Sequence, residues 1–496
     1  MKRIFLAGML SAVLVFLFAG CGSGGRESDN DIAYGRVITT DETSIQVELG
    51  NYDKEKGFTG SNREAVYDLP ESVFYTDFKK GDLVTLILDG KDATVVMTAE
   101  EMAASSDASA ETASKTSSYE SAEALLVSDG TENVENSKTY VSGEAGKKCV
   151  LVKNRGDLIL NSSNLTSSSE DSQAVLVTGY RSAILAENIN INTSGDGSQG
   201  FLAVASGEVT AQQVTLRTTG DGSPPLQAGK GSVIDVSEGV LNSAGASSPG
   251  IFSAGKISLT DSSAIAEESE GSVIEPGGSF TLKTSRLTAA SESGIVFRSG
   301  DGSGSGSAAG KFTATGSSMV SGGAAAMFRV EGMRGVVNLI NTNLTTASGV
   351  LADVAVESGD DESGSSAGTD AADEDGVVSS DAAAKLILSG CHQEFSGEIR
   401  CGRRGQVKLV LTEESSFRGA IDRTNTAGYS KIFLSKDSTW EVTADSYVDA
   451  VVNKKKDCSN ITSQGYTVYY NGDNKANQWL KGRTIQLEGG GKLMPM

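Results

Sequence analysis

From about residue 137 onward, apolar residues fall into a recurring set: two positions two apart, then a third five residues further on, with Ser, Thr, Asn and Gly between them. The set reads Leu158/Leu160/Leu165, Ile184/Ala186/Ile191, Val209/Ala211/Leu216, Ile234/Val236/Leu241, Ile257/Leu259/Ala264, Phe280/Leu282/Leu287, Phe312/Ala314/Met319 and Val337/Leu339/Leu344. Its first members lie 26, 25, 25, 23, 23, 32 and 25 residues apart. Ten residues after most sets comes another apolar point: Val175, Phe201, Leu226, Ile251, Ile274 and Phe297. Alternation with period two marks strands buried on one face, and the polar breaks mark turns. Three short strands per repeat of about 25 residues predict an all-β chain dominated by a parallel β-helix. One coil cannot bury its own inward residues, whereas stacked coils pair every backbone group above and below at about 4.8 Å spacing. Less regular sets at Leu386/Leu388, Val407/Leu409 and Ile432/Leu434 extend the count to about eleven coils, a rod of roughly 50 Å.

Two steps are long because polar segments interrupt them. "GDGSGSGSAAG" begins at Gly300, and an acidic insert over 357–381 separates Val337 from Leu386; both read as loops thrown out between coils. Ahead of the solenoid, assigned to 124–496, residues 32–99 alternate as four strands around Asp89-Gly90 and predict a small β-barrel or sandwich that resembles OB-like or SH3-like modules. Residues 100–123 are rich in Ser, Ala, Thr and Glu and read as a linker. From about 436 the aromatic content rises, which predicts a cap over the raw apolar end of the solenoid.

The extreme N-terminus has a different pattern. Lys2 and Arg3 precede an apolar run from Ile4 to Phe18, and Ala19-Gly20-Cys21 closes it. This resembles the lipobox of bacterial lipoproteins, although Phe18 stands where Leu is usual. The resemblance implies a signal peptide over 1–20, lipid on Cys21, a flexible tether over 21–31 and anchoring at the outer face of the cell membrane. With 42 basic against 64 acidic residues, the formal charge of −22 repels nucleic acid.

Candidate chemistry is sparse. Cys149, Cys391, Cys401 and Cys458 permit two disulfides in three connectivities, but their irregular spacing leads to an expectation of at most one bridge, best between Cys391 and Cys401. His392 is the single histidine, and no acidic residue stands at metal-ligand spacing from it. "GDGS" occurs at Gly195 and Gly220, one coil apart, and the third copy at Gly245 lacks the aspartate. Gly and Asp there suit tight turns, with glycine supplying positive φ; stacked Asp196 and Asp221 would make at most a weak calcium site. The acidic insert offers a second loose calcium candidate through Asp360, Asp361, Asp373 and Asp375. Otherwise neither cofactor nor metal is expected. Trp440, Tyr447, Tyr469 and Trp479 belong to the cap or, alternatively, to an aromatic platform for sugar rings.

Over 137–496, the turn "GDGSP" at Gly220, "IFSAG" at Ile251 and the terminal "STWEVTADSYV", "GYTVYY" and "GGGKL" resemble the right-handed β-helix surface lipoproteins and adhesin-like proteins of anaerobic Gram-positive bacteria, some of them carbohydrate-binding. The resemblance implies a monomeric, noncatalytic surface protein that meets glycans or extracellular matrix. The alternative is a polysaccharide lyase or glycoside hydrolase, which needs carboxylates paired on neighbouring coils. The outward strand positions, such as Lys256, Ser258 and Thr260, do not repeat an acid pair.

Overall fold

The computed structural model describes residues 31–40, 44–53, 57–68, 80–81, 83–89, 92–98, 119, 121–299, 309–355 and 384–496. Cys21, the leader, nearly all of the linker and the acidic-insert residues Asp360, Asp361, Asp373 and Asp375 lie outside them. Near the N-terminus, strands Asp31–Thr40, Ser44–Asp53, Gly57–Asp68, Leu83–Asp89 and Asp92–Thr98 close into a small barrel. Val37, Ile45, Val47 and Val84 fill its interior.

The remainder is a parallel β-solenoid of about 13 turns. Its walls are a 14-stranded sheet running from Ala124–Asp129 to Ile461–Ser463, and a 20-stranded sheet that takes two strands from most coils. Those two strands meet at a bend where one residue per coil adopts left-handed φ: Ser137, Ser162, Asn188, Gln213, Glu238, Asp261, Thr284, Gly316 and Asn341; His392 and Glu413 continue the left-handed series in later coils, where the strand after the bend joins the 14-stranded sheet. The coils exceed the eleven expected because the end coils lack the apolar signature. In the first, Asn133 and Glu135 stand in register with Leu158 and Leu160, and polar residues are tolerated there because no coil among the described residues covers that end. Ala450–Asn453 adds a rung at the other end.

Register follows the sequence sets from Leu158 through Val337, each first member pairing with the next. Beyond that, the sets slip. Val337 pairs with Leu388 rather than Leu386, and Leu409 rather than Val407 pairs with Ile432. On the other sheet, Ile251 pairs with Ser272, so Ile274 stands opposite Ser253. A slip of two residues leaves every side chain on its own face, so alternation alone is blind to it.

The C-terminal end is covered by a 3-10 helix, Lys475–Leu480. Asn477 Oδ1 accepts from the Val451 amide at 2.8 Å, and Trp479 Nε1 donates to the Val451 carbonyl at 2.9 Å. Side chains thus take the place of the strand that a further coil would have supplied, and the last rung does not present bare backbone groups.

Candidate functional site

The left-handed bend residues run as a row along the solenoid axis. Left-handed φ is costly for most side chains, and Asn, Asp and Gly bear it best, which accounts for the Asn and Gly rungs but not for Gln213, Glu238 or Thr284. Their side chains bond to one another instead. Asn188 reaches Ser162, Gln213 donates to Glu238 at 3.0 Å, and Thr284 donates to Asp261. Beside this row stands a second one of small residues. Ser262 Oγ accepts from the Gly239 amide, Ser285 from Ser262 and Ser317 from Ser285, each across one coil.

The small second row leaves an open groove of about 650 Å³ along the bend. Glu238, Asp261 and Thr284 form one bank, the Gly239/Ser262/Ser285/Ser317 row the floor, and Ser263, Arg286, Ser318 and Asn343 the other bank. Glu238 and Asp261 are therefore carboxylates on neighbouring coils, an acid pair at positions other than the outward strand positions. The bend residues stand between two strands, outside the period-two pattern, and a search of outward strand positions skips them. Gln213 and then Gln212 donate hydrogen bonds to Glu238 and hold its carboxyl below the ordinary value. That is opposite to what a general acid requires.

The "GDGS" copies form a different ladder, and each residue in them has a stacking role. A Cβ on Gly220 would lie 2.0 Å from the Gly195 carbonyl oxygen, and one on Gly245 would lie 1.9 Å from that of Gly220. The first glycine is thus required by the close approach of the next coil. Positive φ belongs instead to the second glycine, at Gly197 and Gly222. Asp196 Oδ1 accepts from the Asp221 amide at 2.9 Å, and Asp221 Oδ1 from the Ala246 amide at 3.0 Å. Each carboxylate caps the turn below it, a role unlike two carboxylates converging on one ion. Ser198, Ser223 and Ser248 complete the ladder, each hydroxyl accepting from the amide of the serine one coil earlier.

The four aromatic residues proposed as a sugar platform do not come together. Trp440 is fully buried, stacked on Phe417, and its indole N–H donates to the Gly419 carbonyl at 3.1 Å. Trp479 caps the last rung, with Lys456 over its ring. Tyr447 and Tyr469 alone meet, half-buried, with ring centroids 4.8 Å apart. The sequence ranks these residues by type, and burial divides them.

The four cysteines among the described residues are free thiols, and the Cys391–Cys401 bridge does not form. Cys401 faces the core, while Cys391 ends the strand Ala384–Cys391 at the bend and turns outward. There its Sγ donates to Glu413 Oε2 at 2.9 Å, and His392 Nε2 lies 3.4 Å from the same oxygen. Burial, and then the hydrogen bond and charge of Glu413, push the Cys391 thiol up to about 11. An acidic residue does therefore stand beside the single histidine; it comes from the next coil, 21 positions along the chain.

No protein-family model matches the chain, and no curated protein shows significant similarity to it.

Proposed function

We propose that this protein is a noncatalytic, lipid-anchored binding protein of the cell surface that lays an extended glycan along the bend groove. The observation that carries the reading is the groove itself: an open channel along which Ser263, Arg286, Ser318 and Asn343 place one polar side chain per coil beside the exposed Val240, suited to a polymer that offers hydroxyls and apolar ring faces in turn. Its lining contains no aromatic ring, so recognition there proceeds by hydrogen bonds and contact with Val240. The paired Glu238 and Asp261 disfavour a polyuronate and favour neutral or amino sugars. The hydrogen bonds that hold the Glu238 carboxyl below its ordinary value disfavour it as the protonated acid that glycoside hydrolysis needs. The same acidic surface disfavours nucleic acid, and a monomer suffices because the groove lies within one chain.

A glycan array probed with the full-length chain, with and without chelator, tests this reading. Retention of neutral or amino-sugar polymers is expected, with Arg286→Ala and Asn343→Ala each weakening it about tenfold, the scale of one hydrogen bond involving a charged or polar group. New reducing or unsaturated ends would instead favour the enzyme reading. That second reading has its own observation. On the 14-stranded sheet, Asp353 stands in register between Arg329 and Arg400, and burial pushes its carboxyl up against the opposing pull of those two guanidiniums. Asp353→Asn would then abolish cleavage.

Membrane attachment is tested separately. Metabolic labelling with a fatty acid is expected to mark the wild-type chain and not Cys21→Ser. Label retained in Cys21→Ser would remove the lipid anchor from the proposal.

A further inference from the structure

We infer that Cys391, His392 and Glu413 form a binding site for one divalent transition metal ion of the zinc class, open to solvent on one side. This inference is independent of the glycan reading. The three ligand atoms all lie within 4.8 Å of one another, on the outer side of the bend. Bonds of about 2.3 Å to sulfur and 2.0–2.2 Å to nitrogen and oxygen place tetrahedral ligands roughly 3.3–3.7 Å apart. The observed 3.4 Å between His392 Nε2 and Glu413 Oε2 already fits, and Cys391 Sγ needs to open from 2.9 Å to about 3.6 Å, a side-chain rotation of a partly exposed thiol.

Backbone geometry makes the arrangement possible. Neighbours in a strand project to opposite faces, so Cys391 and His392 in extended conformation would point apart. His392 instead has φ of 48°, which turns the chain and brings both side chains to one carboxylate. Its amide donates to the Glu413 carbonyl at 2.9 Å, fixing the third ligand one coil below. Two ligands from one coil and one from the next are thus placed side by side by the backbone ladder. Asp437 adds a further carboxylate in the neighbourhood of His392.

The donor set selects the ion. One thiolate, one imidazole and one carboxylate suit zinc, cobalt or nickel, whereas calcium and magnesium require oxygen. Three protein ligands leave the fourth position to water or to an oxygen of a bound molecule. On binding, the Sγ–H proton leaves to solvent and the sulfur lone pair forms the metal bond. One proton is released per ion, and the Glu413 charge that opposes thiolate formation is offset by the cation.

The test is a titration of the reduced full-length chain with Co²⁺ alone, followed by displacement with Zn²⁺. The expected result is a cobalt–thiolate charge-transfer band that saturates at one ion per chain, disappears on adding Zn²⁺, and is absent in Cys391→Ser. His392→Asn keeps a residue that tolerates left-handed φ and should weaken binding at least tenfold, as should Glu413→Gln; circular dichroism confirms that each variant is folded. Zn²⁺ should also slow alkylation of Cys391, the one thiol of the four that is not buried. Failure to develop the band at millimolar Co²⁺, a band that survives Cys391→Ser, or alkylation unaffected by Zn²⁺ would each overturn the assignment.

Discussion

Gly220→Val destabilises the solenoid by about 3 kcal/mol, at the upper end of what overpacking a closed interior costs. Even the first carbon of the new side chain would stand 2.0 Å from the Gly195 carbonyl oxygen and 2.8 Å from the Asp196 amide nitrogen. Both are backbone atoms of the neighbouring coil, so relief requires the two coils to part. Parting them lengthens the Ser198–Ser223 and Asp196–Asp221 hydrogen bonds of 2.8 and 2.9 Å on the same turn. Gly222→Ala is the matched control. Space is open around Gly222, and its φ of +61° is borne by Ser247 in the next copy, so the cost should stay near 1 kcal/mol. Denaturant midpoints, with amide exchange in residues 195–248 as the local readout, distinguish the two. Equal midpoints for the two variants would mean that the close approach does not limit coil stacking.

Trp440→Ala should cost about 3–5 kcal/mol, the range for truncating a large buried aromatic. Trp440 continues a core column by stacking on Phe417 at 6.1 Å between ring centroids, and its indole N–H satisfies the Gly419 carbonyl. Truncation leaves a cavity next to an unpaired carbonyl. Trp440→Phe keeps most of the volume and loses chiefly the hydrogen bond, for about 1–2 kcal/mol. Thermal or denaturant unfolding of the two variants separates packing from hydrogen bonding. A Trp440→Ala chain of unchanged stability that had lost glycan retention would restore the aromatic platform and displace the bend groove.

The two effects arise at different kinds of position, and the difference bears on what can be read from a chain of this type. Gly220 is conspicuous because "GDGS" repeats, and the sequence supports a turn there. Which glycine needs positive φ and which needs the absence of Cβ depends on the height of the next coil's carbonyl, which no local pattern encodes. Trp440 is conspicuous as a rare aromatic, but residue type does not say whether its ring faces a core column or a ligand.

The repeat of 23 to 26 residues and the inward triplets determine the solenoid from sequence, because stacking is the one arrangement that buries a stripe no single coil can bury. The same pattern places Leu158, Ile184 and Val209 in one column correctly, since period-two alternation states which face a side chain occupies. Tertiary structure alone decides which rung it occupies, as the two-residue slips at Leu388, Ile432 and Ile274 show: inward positions two apart are equivalent to the pattern and differ only in what lies above and below. Both candidate sites belong to that second kind of information. Glu238 meets Asp261, and His392 meets Glu413, across the coil spacing and at left-handed bends where alternation lapses. Residues more than twenty positions apart become neighbours only once the chain has wound.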